Sequence, residues 1–224
     1  MSETTVIIPI RGSQLGKSRL SPMFGATERS RIVAAMAEHV IGVVLETFPD
    51  GRVMVVTRDP DIAWLTAANH PRVAFVRQPD NSWGLNAAID VGRSAAMEAQ
   101  RMLVLSGDLP LLSPGDLTTF SASDTPVTIA TDEAGGGTNA LLLDGTHAIA
   151  RFPFQFGEGS RQRHVDAAIA LGLASQTLRL PGLMRDLDTP ADWDVLPGFV
   201  RERLLAGEPG PAVPATASMM RETA

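Results

Sequence analysis

The sequence predicts an α/β fold, a mixed but mainly parallel sheet flanked by helices. Three observations carry this. Short apolar runs alternate with segments of helical periodicity through the first half of the chain. The 224 residues are 44% hydrophobic, enough for one α/β domain with a full core. Polar residues and glycines follow the predicted strands, which is where parallel sheets bind ligands.

The elements follow in order. Thr4 to Pro9 reads as the first strand, and Arg11 to Pro22 as a polar loop. Glu28 to Thr47 places apolar residues at Ile32, Met36, Val40, Val43 and Val44, which is helical spacing, with Thr27 as the expected N-cap. Val53 to Thr57 is a second strand, Pro60 to Asn69 a short helix and Val73 to Val76 a third strand. Leu85 to Gln100 is a second long helix, and Met102 to Ser106 a fourth strand. Val127 to Thr131 and Asn139 to Leu143 read as strands around Gly135-Gly136-Gly137. A helix over Ser160 to Leu171, a strand over Ser175 to Leu180 and two short helices, Pro190 to Leu196 and Phe199 to Leu205, complete the reading. A single domain over 1–205 is expected, with 206–224 as a Pro/Ala/Gly-rich tail too poor in apolar surface to fold.

Bulk composition excludes several classes. The net charge of −6 and the lack of a basic stripe argue against a nucleic-acid binder. No run approaches the ~20 apolar residues of a membrane span. Met1 to Thr5 lacks the features of a secretory leader. With no cysteine there is no thiolate metal site or Cys nucleophile, and a reducing cytoplasm suits the chain.

Six segments offer chemistry. Arg11-Gly12-Ser13-Gln14-Leu15-Gly16-Lys17-Ser18-Arg19-Leu20 follows the first strand and joins backbone N–H groups to three cations, a pattern for holding phosphates. Its glycines stand one residue closer than in a Walker loop, which disfavours a P-loop ATPase. Ser106-Gly107-Asp108-Leu109-Pro110 puts a carboxylate just past a buried strand, a place suited to a Mg²⁺ ligand and equally to an Asx-turn. Arg185-Asp186-Leu187-Asp188-Thr189-Pro190 brings two carboxylates to one side of an extended segment, while Asp188 or Thr189 can instead cap the helix begun by Pro190. Gly135 to Ala140 allows close approach of a ligand to Thr138 and Asn139, or is a plain hairpin turn. Phe156-Gly157-Glu158-Gly159-Ser160 ends at a helix start that can bind an anion or be capped by Ser160, with Arg161, Arg163 and His164 just beyond to add charge. Trp83-Gly84-Leu85-Asn86 permits backbone approach at Gly84 and base reading, or capping, by Asn86. His39, His70 and His147 are scattered and read as surface or boundary residues.

Taken in order, these segments resemble the 2-phospho-L-lactate or phosphoenolpyruvate guanylyltransferases of coenzyme F420 biosynthesis. The resemblance runs from Ile7 to about Leu196, through Pro9, Gly16 to Leu20, Gly84 to Ala88, Gly107 to Leu112, Gly137 to Leu141, Phe156 to Ser160 and Asp186 to Pro190. It implies a Rossmann-like nucleotidyltransferase fold of glycosyltransferase-A-like type. The implied reaction moves GMP from GTP to a small phosphorylated acid (2-phospho-L-lactate, phosphoenolpyruvate or 3-phospho-D-glycerate) and releases diphosphate. The resemblance implies Mg²⁺ on Asp108, Asp186 and Asp188, and Thr138, Gly157 and Ser160 around the acid. It implies a catalytic set of Lys17, Arg19 and Asp108, and a nucleotide-binding set of Arg11, Gly12, Gly16, Lys17, Ser18, Gly84 and Asn86. A monomer or homodimer without nucleic-acid or membrane partners is expected. Two residues depart from the family pattern: Arg11 stands where Lys is usual and Gly107 where Ala is common. A molybdenum-cofactor or sugar-phosphate nucleotidyltransferase of the same fold, or a non-catalytic nucleotide-binding regulator, is the alternative. Three carboxylates kept together argue against the regulator.

Overall fold

A computed structural model describes residues 3–10, 17–58, 65–96 and 98–208. Seven strands form one sheet: β1 (Thr4–Ile10), β2 (Arg52–Thr57), β3 (Val73–Arg77), β4 (Arg101–Leu105), β5 (Val127–Ala130), β6 (Ala140–Asp144) and β7 (Ser175–Leu178). Their order across the sheet is β3-β2-β1-β4-β6-β5-β7. The pairs β1–β2, β1–β4, β2–β3 and β5–β7 are parallel, and β6 runs antiparallel to both its neighbours. The expected mixed, mainly parallel sheet is therefore present. Reversal of β6 has a consequence for function, because its first residues lie beside the carboxyl end of β4: Ala140 pairs with Leu105.

Alternation along the strands builds the two core layers. Val6, Ile8, Leu103, Leu105 and Leu142 face one side, and Ile7, Met102, Val104, Leu141 and Leu143 face the other. The first layer is closed by helix α1 (Ala26–Thr47), through Ala37, Val40, Ile41 and Val44, and by α3 (Pro114–Ser121), through Leu117 and Phe120. The second is closed by α2 (Leu85–Ala95), α4 (Thr146–Arg151) and α5 (Ser160–Ala170). α2 lies so close to the sheet that a Cβ on Gly92 would sit 2.7 Å from Ile7 Cγ2. Three short helices, α6 (Pro181–Met184), α7 (Pro190–Asp194) and α8 (Gly198–Ala206), follow β7. Trp193, Val200 and Leu204 pack with Ile32 and Met36 of α1, and the Trp193 ring meets Phe24 edge-on at 4.7 Å.

Several boundaries differ from the sequence reading. α1 begins two residues earlier than Glu28, with Gly25 rather than Thr27 as N-cap, because the Glu28 carboxylate accepts from the Gly25 N–H at 2.9 Å. α2 stops at Ala95 rather than Gln100, its last turn closed by Arg93, whose guanidinium reaches the Phe152 carbonyl at 2.8 Å. Of the helix expected over 60–69, the part from Thr66 to Asn69 is a 3-10 turn, and 59–64 lie outside the described residues. α8 runs through Ala206, one residue past the expected domain limit, and 209–224 lie outside the described residues. Helices α3, α4 and α6 are too short to show a periodic pattern and were not expected. His39 is no surface residue: it is buried, with Nε2 3.0 Å from the Leu112 carbonyl. No helix among the described residues is long and apolar enough to cross a membrane.

Candidate active site

Four segments converge at the carboxyl edge of β1 and β4. The first begins at Lys17, held at φ 55° just before a 3-10 turn over Ser18–Leu20. A left-handed lysine is an uncommon conformation for a side chain with a Cβ, and such strain gathers at ligand sites. The second is Ser106-Gly107-Asp108 beyond β4. The third is Thr138-Asn139 before β6, tied to the second where Ser106 N donates to the Asn139 carbonyl at 2.9 Å. The fourth is the extended stretch 185–188, docked by Leu187 N on the Asp108 carbonyl at 3.1 Å.

These backbone ties bring three carboxylates together. One oxygen each from Asp108, Asp186 and Asp188 lies within 4.8 Å of the others, and all three residues are partly buried. Asp188 owes its freedom to its neighbour: Thr189 caps α7, while the Asp192 carboxylate accepts from the backbone N–H groups of both Asp188 and Thr189. The choice between Asp188 and Thr189 as the cap is thus settled for Thr189. Asp186 is steadied by Asn139, whose Nδ2 donates to the Leu183 carbonyl at 3.0 Å and to Asp186 Oδ1 at 3.4 Å.

Charge dominates this cluster. Lys17 Nζ donates to Asp108 Oδ2 and to Asp188 Oδ1, each at 2.5 Å. Burial alone would lower the lysine pKa, but the Asp108 and Asp188 carboxylates outweigh it and hold the ammonium well above its usual range. Burial, followed by the charges of Asp108 and Asp188, pushes the Asp186 carboxyl up to about 6. Asp108 Oδ1 is buried without a hydrogen-bond partner. A buried carboxylate oxygen with no donor is costly. Three hard oxygen ligands with one orphaned atom fit a divalent cation such as Mg²⁺.

Thr138, Gly157 and Ser160 lie on segments tied to one another. The turn at Gly135–Gly137 docks on the start of α5: Arg161 N donates to the Gly136 carbonyl at 3.1 Å and Arg161 Nε to the Gly135 carbonyl at 2.6 Å. Arg161 therefore spends its guanidinium on the turn. Ser160 is buried and does not cap α5; Gly159 is the N-cap, and Ser160 N donates to the Gly157 carbonyl at 3.0 Å. Gly157 sits at φ 119°, which a side chain would strain.

Other expected positions fall differently. Arg19 is exposed on the 3-10 turn and makes no bond to the carboxylates; Ser18 beside it is exposed too. Arg11, Gly12 and Gly16 lie outside the described residues. Gly84 has the positive φ of 90° that allows the turn into α2. The Asn86 amide, expected to read a base, is engaged by the protein: Oδ1 accepts from Phe156 N at 2.7 Å and Nδ2 donates to Phe156 O at 3.2 Å. It fastens the 153–157 loop to α2. His164, expected to add charge, is fully buried, and burial with nearby Arg163 lowers its pKa to about 4, so it is neutral. A Cβ on Gly107 would meet Ile8 Cγ2 at 3.3 Å, so the Ala of the family pattern needs only a small shift. Asn139 and His164 are the residues whose roles the sequence understated. Their signal is spacing in three dimensions, since Asp186 is 47 residues from Asn139 and His164 is 26 from Thr138.

The mixed sheet, with carboxylates and a lysine at the carboxyl edge of its parallel strands, has the fold of solved nucleotidyltransferases. A nucleotidyl transferase from Methanothermobacter superposes with a TM-score of 0.63, covering 91% of this chain and 98% of that one at 16% identity. The 4-diphosphocytidyl-2C-methyl-D-erythritol synthase of Anaerococcus prevotii gives 0.61, covering 91% and 96% at 12% identity. At such identity these show the fold. The chain belongs to the family described as guanylyl transferase, CofC like, whose model matches residues 4–195. A phosphoenolpyruvate guanylyltransferase of Chloroflexus aggregans is 38% identical over 192 residues, 82% of this chain and 91% of the relative. A 3-phospho-D-glycerate guanylyltransferase of Colwellia psychrerythraea is 26% identical over 193 residues, 86% and 90%. The protein is an enzyme that transfers nucleotidyl groups, a guanylyltransferase by family.

Proposed function

We propose that the enzyme transfers GMP from GTP to the phosphate of a small phosphorylated acid and releases diphosphate, with phosphoenolpyruvate as the preferred acid and Mg²⁺ as the metal. The carrying observation is the meeting of Asp108, Asp186 and Asp188, with Asp108 Oδ1 unpartnered, beside Lys17. The choice of acid rests on the relatives named above, and a place in coenzyme F420 synthesis on the family resemblance.

The chemistry suits this equipment. The acceptor phosphate, with a second pKa of about 6, is largely dianionic near neutral pH and needs no protein base. Its oxygen attacks the α-phosphorus of GTP, the bond to the bridging oxygen breaks, and diphosphate leaves with the electron pair. Two polyanions must meet, so positive charge decides the barrier. Asp108, Asp186 and Asp188 would hold Mg²⁺, which would offset most of their charge and polarise phosphoryl oxygens. Lys17, charged throughout the neutral range, and the exposed Arg19 supply cations for the leaving diphosphate. Ser18 and Gly84 flank the donor, and Thr138, Gly157 and Ser160 hold the acid.

Diphosphate release is to be measured with GTP or ATP, Mg²⁺ and each of phosphoenolpyruvate, 2-phospho-L-lactate and 3-phospho-D-glycerate. Turnover with GTP and phosphoenolpyruvate is expected, falling by roughly two orders of magnitude or more in folded Asp108→Asn. No turnover with any acid, or near-normal turnover in Asp108→Asn, overturns the reading.

A further inference from the structure

We propose that His164 is a positioning residue that fixes the Thr138 hydroxyl as a hydrogen-bond donor toward the phosphorylated acid. This rests on the acceptor site proposed above. The backbone N–H of Gln155 points at His164 Nε2 from 3.1 Å. A backbone N–H can only donate, so Nε2 must offer its lone pair. The single proton of the neutral ring then resides on Nδ1. Nδ1 lies 3.1 Å from Thr138 Oγ1, so the imidazole donates and the hydroxyl oxygen accepts. The Thr138 hydroxyl hydrogen is directed elsewhere, and no other hydrogen bond to Oγ1 is made among the described residues. A donor with nothing to donate to, at a nearly buried threonine, suits an anionic ligand.

The surroundings enforce this state. The ring is fully buried and packs against Phe156 at 4.8 Å and Phe152 at 5.8 Å. Burial and the adjacent Arg163 disfavour the imidazolium, which would also set two N–H groups against each other at Nε2. One ring thereby joins the three pieces of the acceptor region. It bonds Thr138 directly, it holds the backbone two residues before Gly157, and it stands one turn after Ser160 on α5. Asn86 clamps the same loop from the other side through Phe156.

Two variants separate positioning from packing. Asn can keep a donor near the Nδ1 position, whereas Gln can keep an acceptor near Nε2 but reaches past Thr138. With phosphoenolpyruvate varied at saturating GTP, His164→Gln is expected to raise its KM about tenfold, the effect of one lost hydrogen bond of ordinary strength. His164→Asn, which keeps the donor to Thr138 but loses the tie to Gln155 N, is expected to raise it clearly less than His164→Gln, and the KM for GTP to stay within about twofold in both. Ring ¹⁵N spectra of the parent protein at neutral pH give the second measurement, with the His164 signal assigned by its loss in the variants. A neutral ring protonated on Nδ1 is expected. An Nε2–H tautomer, an imidazolium, or an acid KM unchanged in folded His164→Gln overturns the inference. If the parent turns over no acid at all, the proposed function falls instead, and the ring spectrum alone decides whether His164 donates to Thr138.

Discussion

Lys17 and His164 solve opposite electrostatic problems at the residue scale. Lys17 stays charged while nearly buried because two carboxylates contact it. His164 is buried without a carboxylate and stays neutral. The second case has a thermodynamic consequence. The folded-state pKa of about 4 lies below the ordinary 6.5, so the unfolded chain takes up the proton first as pH falls. His164 therefore contributes stability that is full above about 6.5 and is lost progressively as pH drops to about 4. Denaturant unfolding at pH 7 and pH 4.5 should show a larger loss of stability in the parent than in His164→Asn. Equal losses in the two proteins would show that His164 titrates alike in both states.

Elements place these residues, and here the loop 153–157 is the sensitive part. It has no ladder of its own and is held by Asn86 from α2 and His164 from α5. Asn86→Ala leaves both backbone groups of Phe156 without their partner, a cost of about 1–3 kcal/mol. The expected outcome is a lower Tm and a higher acceptor KM, with the preference for GTP over ATP unchanged. A collapse of that nucleotide preference would return Asn86 to base reading. The same elements show what the sequence could reveal. Strands β1, β2, β4 and β6 were legible as short continuous apolar runs, buried on both faces, and helix α1 by apolar residues repeating at a period near 3.6. Asp108, Asp186 and Asp188 were legible because two of them share an extended stretch and the third ends a buried strand. The work of Asn86 and Asn139 was not, since an amide that grips a distant backbone leaves no local pattern. Whether Ser160 caps a helix was equally undecidable until Gly159 proved to hold that position at φ 66°.

For the whole molecule, the carboxylate site is a junction of distant segments. Lys17 lies 91 residues from Asp108 and 171 from Asp188, yet the three side chains touch. Three carboxylates face one ammonium, and Asp186 is pushed toward its neutral form by burial and by the other two. Without a divalent cation one ammonium offsets only part of the charge of three carboxylates; a cation would offset the rest and add a second tie between the segments. A ligand that binds only the folded state stabilises it by RT ln(1 + [L]/Kd), about 2.7 kcal/mol at one hundred times Kd. For a domain of this size that is a rise in Tm of about 5–10 °C. Melting the protein in a chelator and then in millimolar Mg²⁺ should reveal such a rise without any need for substrate. Asp108→Asn, which removes a ligand charge, should shrink it. Lys17→Met should lower the chelator-treated Tm and widen the gap, because the competing ammonium is gone while the ligands remain. A Mg²⁺-dependent rise of equal size in the parent and in Asp108→Asn would place the cation elsewhere on the molecule.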